Sequence, residues 1–173
     1  MINIHEVTPL DLGELSRLSK STFIASHGHS AAEKDINIYI RFAYSVKKLE
    51  NELNDPNSIF HFIYDNNELA GYSKLSLNTN YPLINEAPIA KLDRIYIDKK
   101  FLDRKLGQPL FDFNLKLAQQ NNQKRVWLYT WIENHRAIKF YKKNGFEIID
   151  ERDFKISNSH SNPNYIMCKK IIF

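Results

Sequence analysis

Apolar residues recur every third or fourth position from Leu10 through Leu12, Leu15 and Leu18 to Phe23. That is the spacing of a helix burying one face, with Thr8 or Asp11 as its cap. Ile4 and Val7, just before it, suit a short first strand. After the break at His27-Gly28-His29, a second helical zone is predicted over residues 31–53. It carries Ile36, Tyr39, Ile40, Ala43, Val46, Leu49 and Leu53 on one face, and Asp55-Pro56-Asn57 ends it. The period then falls to two. Residues 59–64 read as a strand, Asp65-Asn66-Asn67 as a turn and residues 68–75 as the returning strand. Residues 78–88 read as loop, 90–97 as a strand, and a helix starts near Pro109. Strand 126–130, helix 134–144, strand 145–149 and a last strand over 165–172 follow, the last one closing the sheet. The order predicts a mixed sheet with helices on its faces.

Composition narrows the class. With 173 residues, 43% hydrophobic and 25% charged, the chain suits one globular domain spanning residues 1–173. The longest apolar runs, such as Ile171-Ile172-Phe173, are too short to span a bilayer, and the first residues do not resemble a secretion signal. Cys168 is the lone cysteine, which excludes an internal disulfide and a cysteine-rich metal site. A cytoplasmic protein without a membrane partner or metal is the expectation. Net charge is +4, yet the basic residues are dispersed, and Lys99, Lys100, Arg104 and Lys105 alternate with Asp98 and Asp103. A nucleic-acid partner is not expected from that pattern.

Two segments carry candidate chemistry. In the first, the strand ending Ile95-Tyr96-Ile97 runs through Arg104-Lys105-Leu106-Gly107-Gln108 into the helix that contains Pro109. Unpaired backbone N–H groups at such a helix start suit a phosphate or pyrophosphate, and an ordinary strand-to-helix turn is the alternative. In the second, Asn134 is placed as an N-cap and Gly145 as a left-handed C-terminal residue, with Ala137, Ile138 and Tyr141 on one helix face.

Together these segments resemble the GCN5-related N-acetyltransferase (GNAT) superfamily. Its Asn-x-x-Ala-x-x-Phe-Tyr-x-x-x-Gly-Phe pattern is matched by Asn134, Ala137, Phe140, Tyr141, Gly145 and Phe146. Its phosphate loop is departed from: Leu102 stands where the family has Arg or Gln, Lys105 where it has its first glycine, and Pro109 where it has a small residue. Further matches, among them Ala70-Gly71-Tyr72-x-Lys74 and Arg94-Ile95-Tyr96-Ile97, are similar to the PaiA-type polyamine N-acetyltransferases.

The resemblance implies a mixed, mostly antiparallel twisted sheet of about seven strands with helices on both faces. It implies acetyl-CoA as donor and a primary amine, a polyamine in the narrower resemblance, as acceptor. Ile95, Tyr96 and Ile97 would present backbone groups to the pantetheine arm. Residues Arg104, Lys105, Leu106, Gly107 and Gln108 would hold the pyrophosphate. Asn134 would bond the pantetheine amides, and Tyr141 would protonate the leaving thiolate. Asp93, two residues from Ile95 and so expected on the same strand face as Ile95 and Ile97, is the candidate general base. His27 and His29 are further candidates. Trp131, Tyr39, Phe42 and Tyr72 are candidates to line the acceptor slot, with Glu133, Glu33, Asp35 and Glu86 as carboxylates at its mouth. A protein or other small amine as acceptor, a non-catalytic acetyl-CoA-binding regulator and a homodimer stay open at this point.

Overall fold

The structure is a computed structural model that describes residues 1–172. Phe173, the end of the expected domain and of its last apolar run, lies outside them. In chain order the elements are β1 (Ile2–Glu6), α1 (Leu12–His27), α2 (Glu33–Ala43), α3 (Val46–Leu53), β2 (Ser58–Asp65), β3 (Glu68–Ser76) and β4 (Ile89–Ile97). Next come α4 (Gly107–Gln120), β5 (Arg125–Trp131), α5 (His135–Lys143), β6 (Glu147–Lys155) and β7 (Ser161–Lys170), with short 3-10 turns at Pro9–Asp11 and Lys99–Arg104.

The sheet has seven strands in the order β1-β2-β3-β4-β5-β7-β6. All neighbours are antiparallel except β4 and β5. The mostly antiparallel architecture expected from the sequence is therefore present. The last strand does not sit at the edge: β7 inserts between β5 and β6, so β6 forms that edge. The hairpin from β2 to β3 turns at Asn66 and Asn67, both with positive φ (49° and 66°), the conformation Asn tolerates best after glycine.

One predicted helix is two. The zone over residues 31–53 breaks at Tyr44 and Ser45, where Ser45 leaves the helical region and its Oγ accepts the Lys48 N–H at 3.2 Å. A serine hydroxyl that can cap the next helix competes with the continuing ladder, and here the cap wins. The break lets the Tyr44 ring drop into the core, where it is 2% exposed.

Alternation along the strands, reset at Ala70 by an irregularity in the β2–β3 register, feeds two cores. Phe60, Phe62 and Tyr72 face α1, α2 and α3, packing with Leu15, Leu18, Ile36 and Leu49. Ile63 and Ala70 face the other way, with Leu106 just before α4 and Leu110 within it; Leu75, Val126 and Leu128 share that face with Phe111 of α4 and Tyr141 of α5. Helices α1–α3 thus cover one face of the sheet, and α4 and α5 cover the other.

Candidate active site

Parallel pairing between β4 and β5 covers only Ile89 to Lys91 against Arg125 to Trp127. Beyond that the two strands diverge, β4 staying with β3 and β5 with β7. A cavity of about 1000 Å³ opens at the split, and residues from both sheet faces line it.

The pairing stops at a bulge. Lys74 faces Arg94 and Leu75 faces Leu92, which leaves Asp93 as an extra residue in β4. A bulge inverts the alternation. Leu92 packs with Phe111 beneath α4, and so does the face carrying Ile95 and Ile97, whereas Asp93 and Arg94 both lie on the side of α1–α3. The expectation that Asp93 shares a face with Ile95 and Ile97 is therefore corrected: uninterrupted period two does not hold across the bulge. Ile95, Tyr96 and Ile97 themselves line the cavity, as expected.

On the α4 side the cavity is basic. Among the described residues no side chain caps the α4 N-terminus, and Gly107 and Gln108 line the cavity there. A Cβ on Gly107 would meet nothing within 4 Å, so the glycine leaves open space where a ligand can approach the backbone. Lys105, at the position the family fills with glycine, adopts a left-handed backbone (φ 57°) and lines the cavity together with Lys99, Arg136 and Lys143. Arg104 does not join them: its side chain is 64% exposed and turns to Asp65 at 3.6 Å. Leu106 is buried with Phe101 and Leu110, so only its backbone is available. Of the two loop cations that sequence spacing singled out, Lys105 thus lines the cavity and Arg104 does not, because a 3-10 turn points successive side chains in different directions.

Helix α5 is held at both ends. Asn134 Oδ1 accepts the Ala137 N–H at 3.1 Å, leaving its amide N–H₂ free to donate to a ligand, and Gly145 has φ +82°. Asn144 and Gln108 exchange amide hydrogen bonds at 2.9 and 3.3 Å, fastening the end of α5 to the start of α4. These contacts set Tyr141 between Phe111, Phe140 and Phe146 with its ring against the cavity. Its hydroxyl makes no hydrogen bond to the protein among the described residues, and burial pushes its phenol well above the ordinary value.

On the α1 side the walls are aromatic and the floor is ionic. Trp131 and Tyr39 line the cavity, as expected, with His27 between Phe23 (4.9 Å, stacked) and Trp131 (5.7 Å). Burial first, and then His29, lower His27 to about 4, so its imidazole is neutral near pH 7. The other slot residues are corrected. Phe42 sits on the outer face of α2, 75% exposed, because it lies opposite the Ile36, Tyr39 and Ile40 stripe. Tyr72 is fully buried beneath the cavity, stacked on Tyr96 at 5.7 Å. Glu133, Glu33, Asp35 and Glu86 are all absent from the cavity wall, and Glu86 pairs with Arg125 at 2.9 Å.

The carboxylates that do line it are Glu52 and Asp93. Arg94 forks onto Glu52 at 2.8 and 3.1 Å, and Lys74 reaches Glu52 at 3.1 Å and Asp93 at 3.7 Å. Lys91 reaches Asp93 at 2.7 Å, and Ser76 donates to the same carboxylate. Burial alone would raise both carboxyls, but Arg94 and Lys74 around Glu52, and Lys91 and Lys74 around Asp93, outweigh it and hold both below the ordinary value. Lys91 escaped sequence reading, and Lys74 entered it only as part of a family match, because a lysine in a period-two strand reads as a solvent position. Cys168 is buried in β7 against Trp127 and does not line the cavity.

A model of the acetyltransferase (GNAT) family matches residues 19–146. An uncharacterized N-acetyltransferase of Lactobacillus delbrueckii subsp. lactis is 28% identical over 157 residues, 91% of each chain. A spermidine N(1)-acetyltransferase of Thermoplasma acidophilum is 26% identical over 153 residues, 86% of this chain and 90% of that one. The crystal structure of a PaiA N-acetyltransferase from Thermoplasma acidophilum in complex with coenzyme A superposes with a TM-score of 0.78. It is 24% identical and covers 98% of this chain and 99% of that one.

Proposed function

The chain belongs to the acetyltransferase (GNAT) family, and on that premise we propose that it moves the acetyl group of acetyl-CoA directly onto a primary amine. The observation that carries the mechanism is the Tyr141 phenol, buried against the cavity without a protein partner between its basic and its aromatic ends.

The free N–H groups at the start of α4, with Lys99, Lys105, Arg136 and Lys143, fit the phosphates of the donor. The unpaired edges of β4 and β5 fit the amides of its pantetheine arm, and the Asn134 amide adds a donor there. The amine attacks the thioester carbon, its C–N bond forms, and the tetrahedral species expels the thiolate, which takes a proton from Tyr141. A phenol raised by burial stays protonated across the physiological range, so the donor form is always present. The thiolate emerges in the same dry surroundings, which raise its basicity too and keep the transfer feasible.

Among the described residues the acceptor's own proton has no strong base to go to. Asp93 is engaged by Lys91 and Ser76 and held acidic, and His27 is a weak base. The amine therefore reacts through its neutral fraction, with water in the cavity carrying the proton away, and Asp93 serves to hold the lysines.

The relatives named for spermidine support a polyamine acceptor. The charges on the α1 side weigh against it. The deciding experiment is thiol release from acetyl-CoA with a panel of primary amines, wild type beside Tyr141→Phe. The expected result is a fall in kcat of at least about 100-fold with acetyl-CoA affinity retained. An unchanged kcat removes Tyr141 from the mechanism, and no release with any amine removes acetyl transfer.

A further inference from the structure

The acceptor end of the cavity holds more positive than negative charge, and this says what kind of amine belongs there. Arg94, Lys74 and Lys91 line it with Glu52 and Asp93. Each carboxylate is already shared, Glu52 by Arg94 and Lys74, Asp93 by Lys91 and Lys74. Lys48, 45% exposed, adds a third cation 3.8 Å from Glu52. His27, the remaining titratable nitrogen on that wall, is neutral and adds no charge. Among the described residues no other carboxylate lines the cavity.

The surroundings make the imbalance matter. Lys91 Nζ lies over the rings of Trp127 and Tyr129 at 5.2 and 5.1 Å, and the Arg94 guanidinium lies 5.1 Å from the Tyr44 ring. Aromatic walls exclude water, so a surplus charge there is weakly screened and gains most from an ionic partner. The phosphates of the donor cannot be that partner, since they are drawn to the separate group of cations at the α4 end. A second ammonium, as in a polyamine, would place a further cation beside Arg94, Lys74 and Lys91, with both carboxylates already occupied.

We propose that the acceptor is a small amine bearing a single carboxylate, an amino acid or short peptide, with that carboxylate seated on Lys91 and the free donors of Lys74 and Arg94. This rests on the acetyl-transfer reading above and narrows its acceptor. The lining groups alone, three cations against two carboxylates, leave one surplus charge, the exposed Lys48 standing outside the cavity wall. One charge suits a monoanion better than a phosphate dianion, and the ring-lined walls suit an apolar side chain.

The test separates charge recognition from chemistry. In the complex with coenzyme A, quenching of Trp131 and Trp127 fluorescence reads the binding of matched pairs: leucine and leucinamide, phenylalanine and phenylalaninamide, a Gly-Phe dipeptide and its amide. Spermidine and phosphoethanolamine complete the panel. Each acid is expected to bind at least about 10-fold tighter than its amide, a difference of about 1.4 kcal/mol. In Lys91→Met, with its folding checked by melting temperature, the ratio should fall toward one. Equal affinities, preference for the amides or spermidine, or binding by no acid overturns the proposal, as does tighter binding of phosphoethanolamine. Thiol release is measured on the same panel. Acids that bind without thiol release sink acetyl transfer and leave the charge assignment standing; release with spermidine alone does the reverse.

Discussion

Residues in this cavity are set less by their type than by what surrounds them. Glu52 is a surface-type residue kept at 11% side-chain exposure by Arg94 and Lys74. Replacing it by Gln strands two cations in a poorly hydrated place, and Glu52→Gln should lose about 3 kcal/mol at pH 7. The sign with pH follows. Its folded carboxyl lies below the ordinary 4.5, so its stabilisation is complete above that value and is lost as pH falls through the lower folded one. Urea melts should therefore show a shallower loss of stability below pH 4.5 in the variant than in the wild type; parallel losses would contradict this. His27 and His61, both lowered by burial from 6.5 to about 4, add an earlier loss between those values in both proteins. At this scale the placements of Asn134 and Gly145 were legible, because each is tied to a helix end whose capping rules act within a few residues, whereas Tyr141 stood out only through the family pattern. The cations of the acceptor end were not, since nothing local to Lys74 or Lys91 announces a partner that α3 brings from far along the chain. Lys105 was legible only as a departure from the family pattern; its backbone is left-handed, a conformation glycine adopts at no steric cost.

Among the elements, β4 decides most. Its outline over residues 90–97 was plain from the apolar pattern, but its bulge was invisible, because Asp93 in an alternating strand looks like any outward residue. Deleting Asp93 would rejoin Leu92 to Arg94, and the alternation of Leu92, Arg94 and Ile95 would then run unbroken along the strand. The deletion variant should keep native-like circular dichroism, since every core side chain retains its face. It should bind acetyl-CoA at least about 10-fold more weakly, because a regular β4 no longer veers away from β5. Retained affinity would show that the split between the strands does not depend on the bulge. The division of residues 31–53 into α2 and α3 was likewise hidden. Ser45 can sit within a helix or cap one, and only the burial of Tyr44 settles which.

Across the whole molecule, strand order was the part least open to sequence reading. The insertion of β7 between β5 and β6 rests on long-range pairing that no local pattern encodes. The class of sheet was readable, since the alternation of strand and helix periods is strong. What the interrupted β4–β5 ladder produces at this scale is a passage through the sheet, reaching the α4 and α5 side at one end and the α1–α3 side at the other. On the proposed placement, donor and acceptor reach the cavity from opposite faces of the sheet, and this has a consequence for traffic. Neither reactant has to vacate before the other arrives, and both can be resident when the acetyl group changes hands. Initial rates measured against one reactant at several fixed levels of the other should then give double-reciprocal lines that intersect. Parallel lines would mean that the acetyl group waits on the protein between two separate visits.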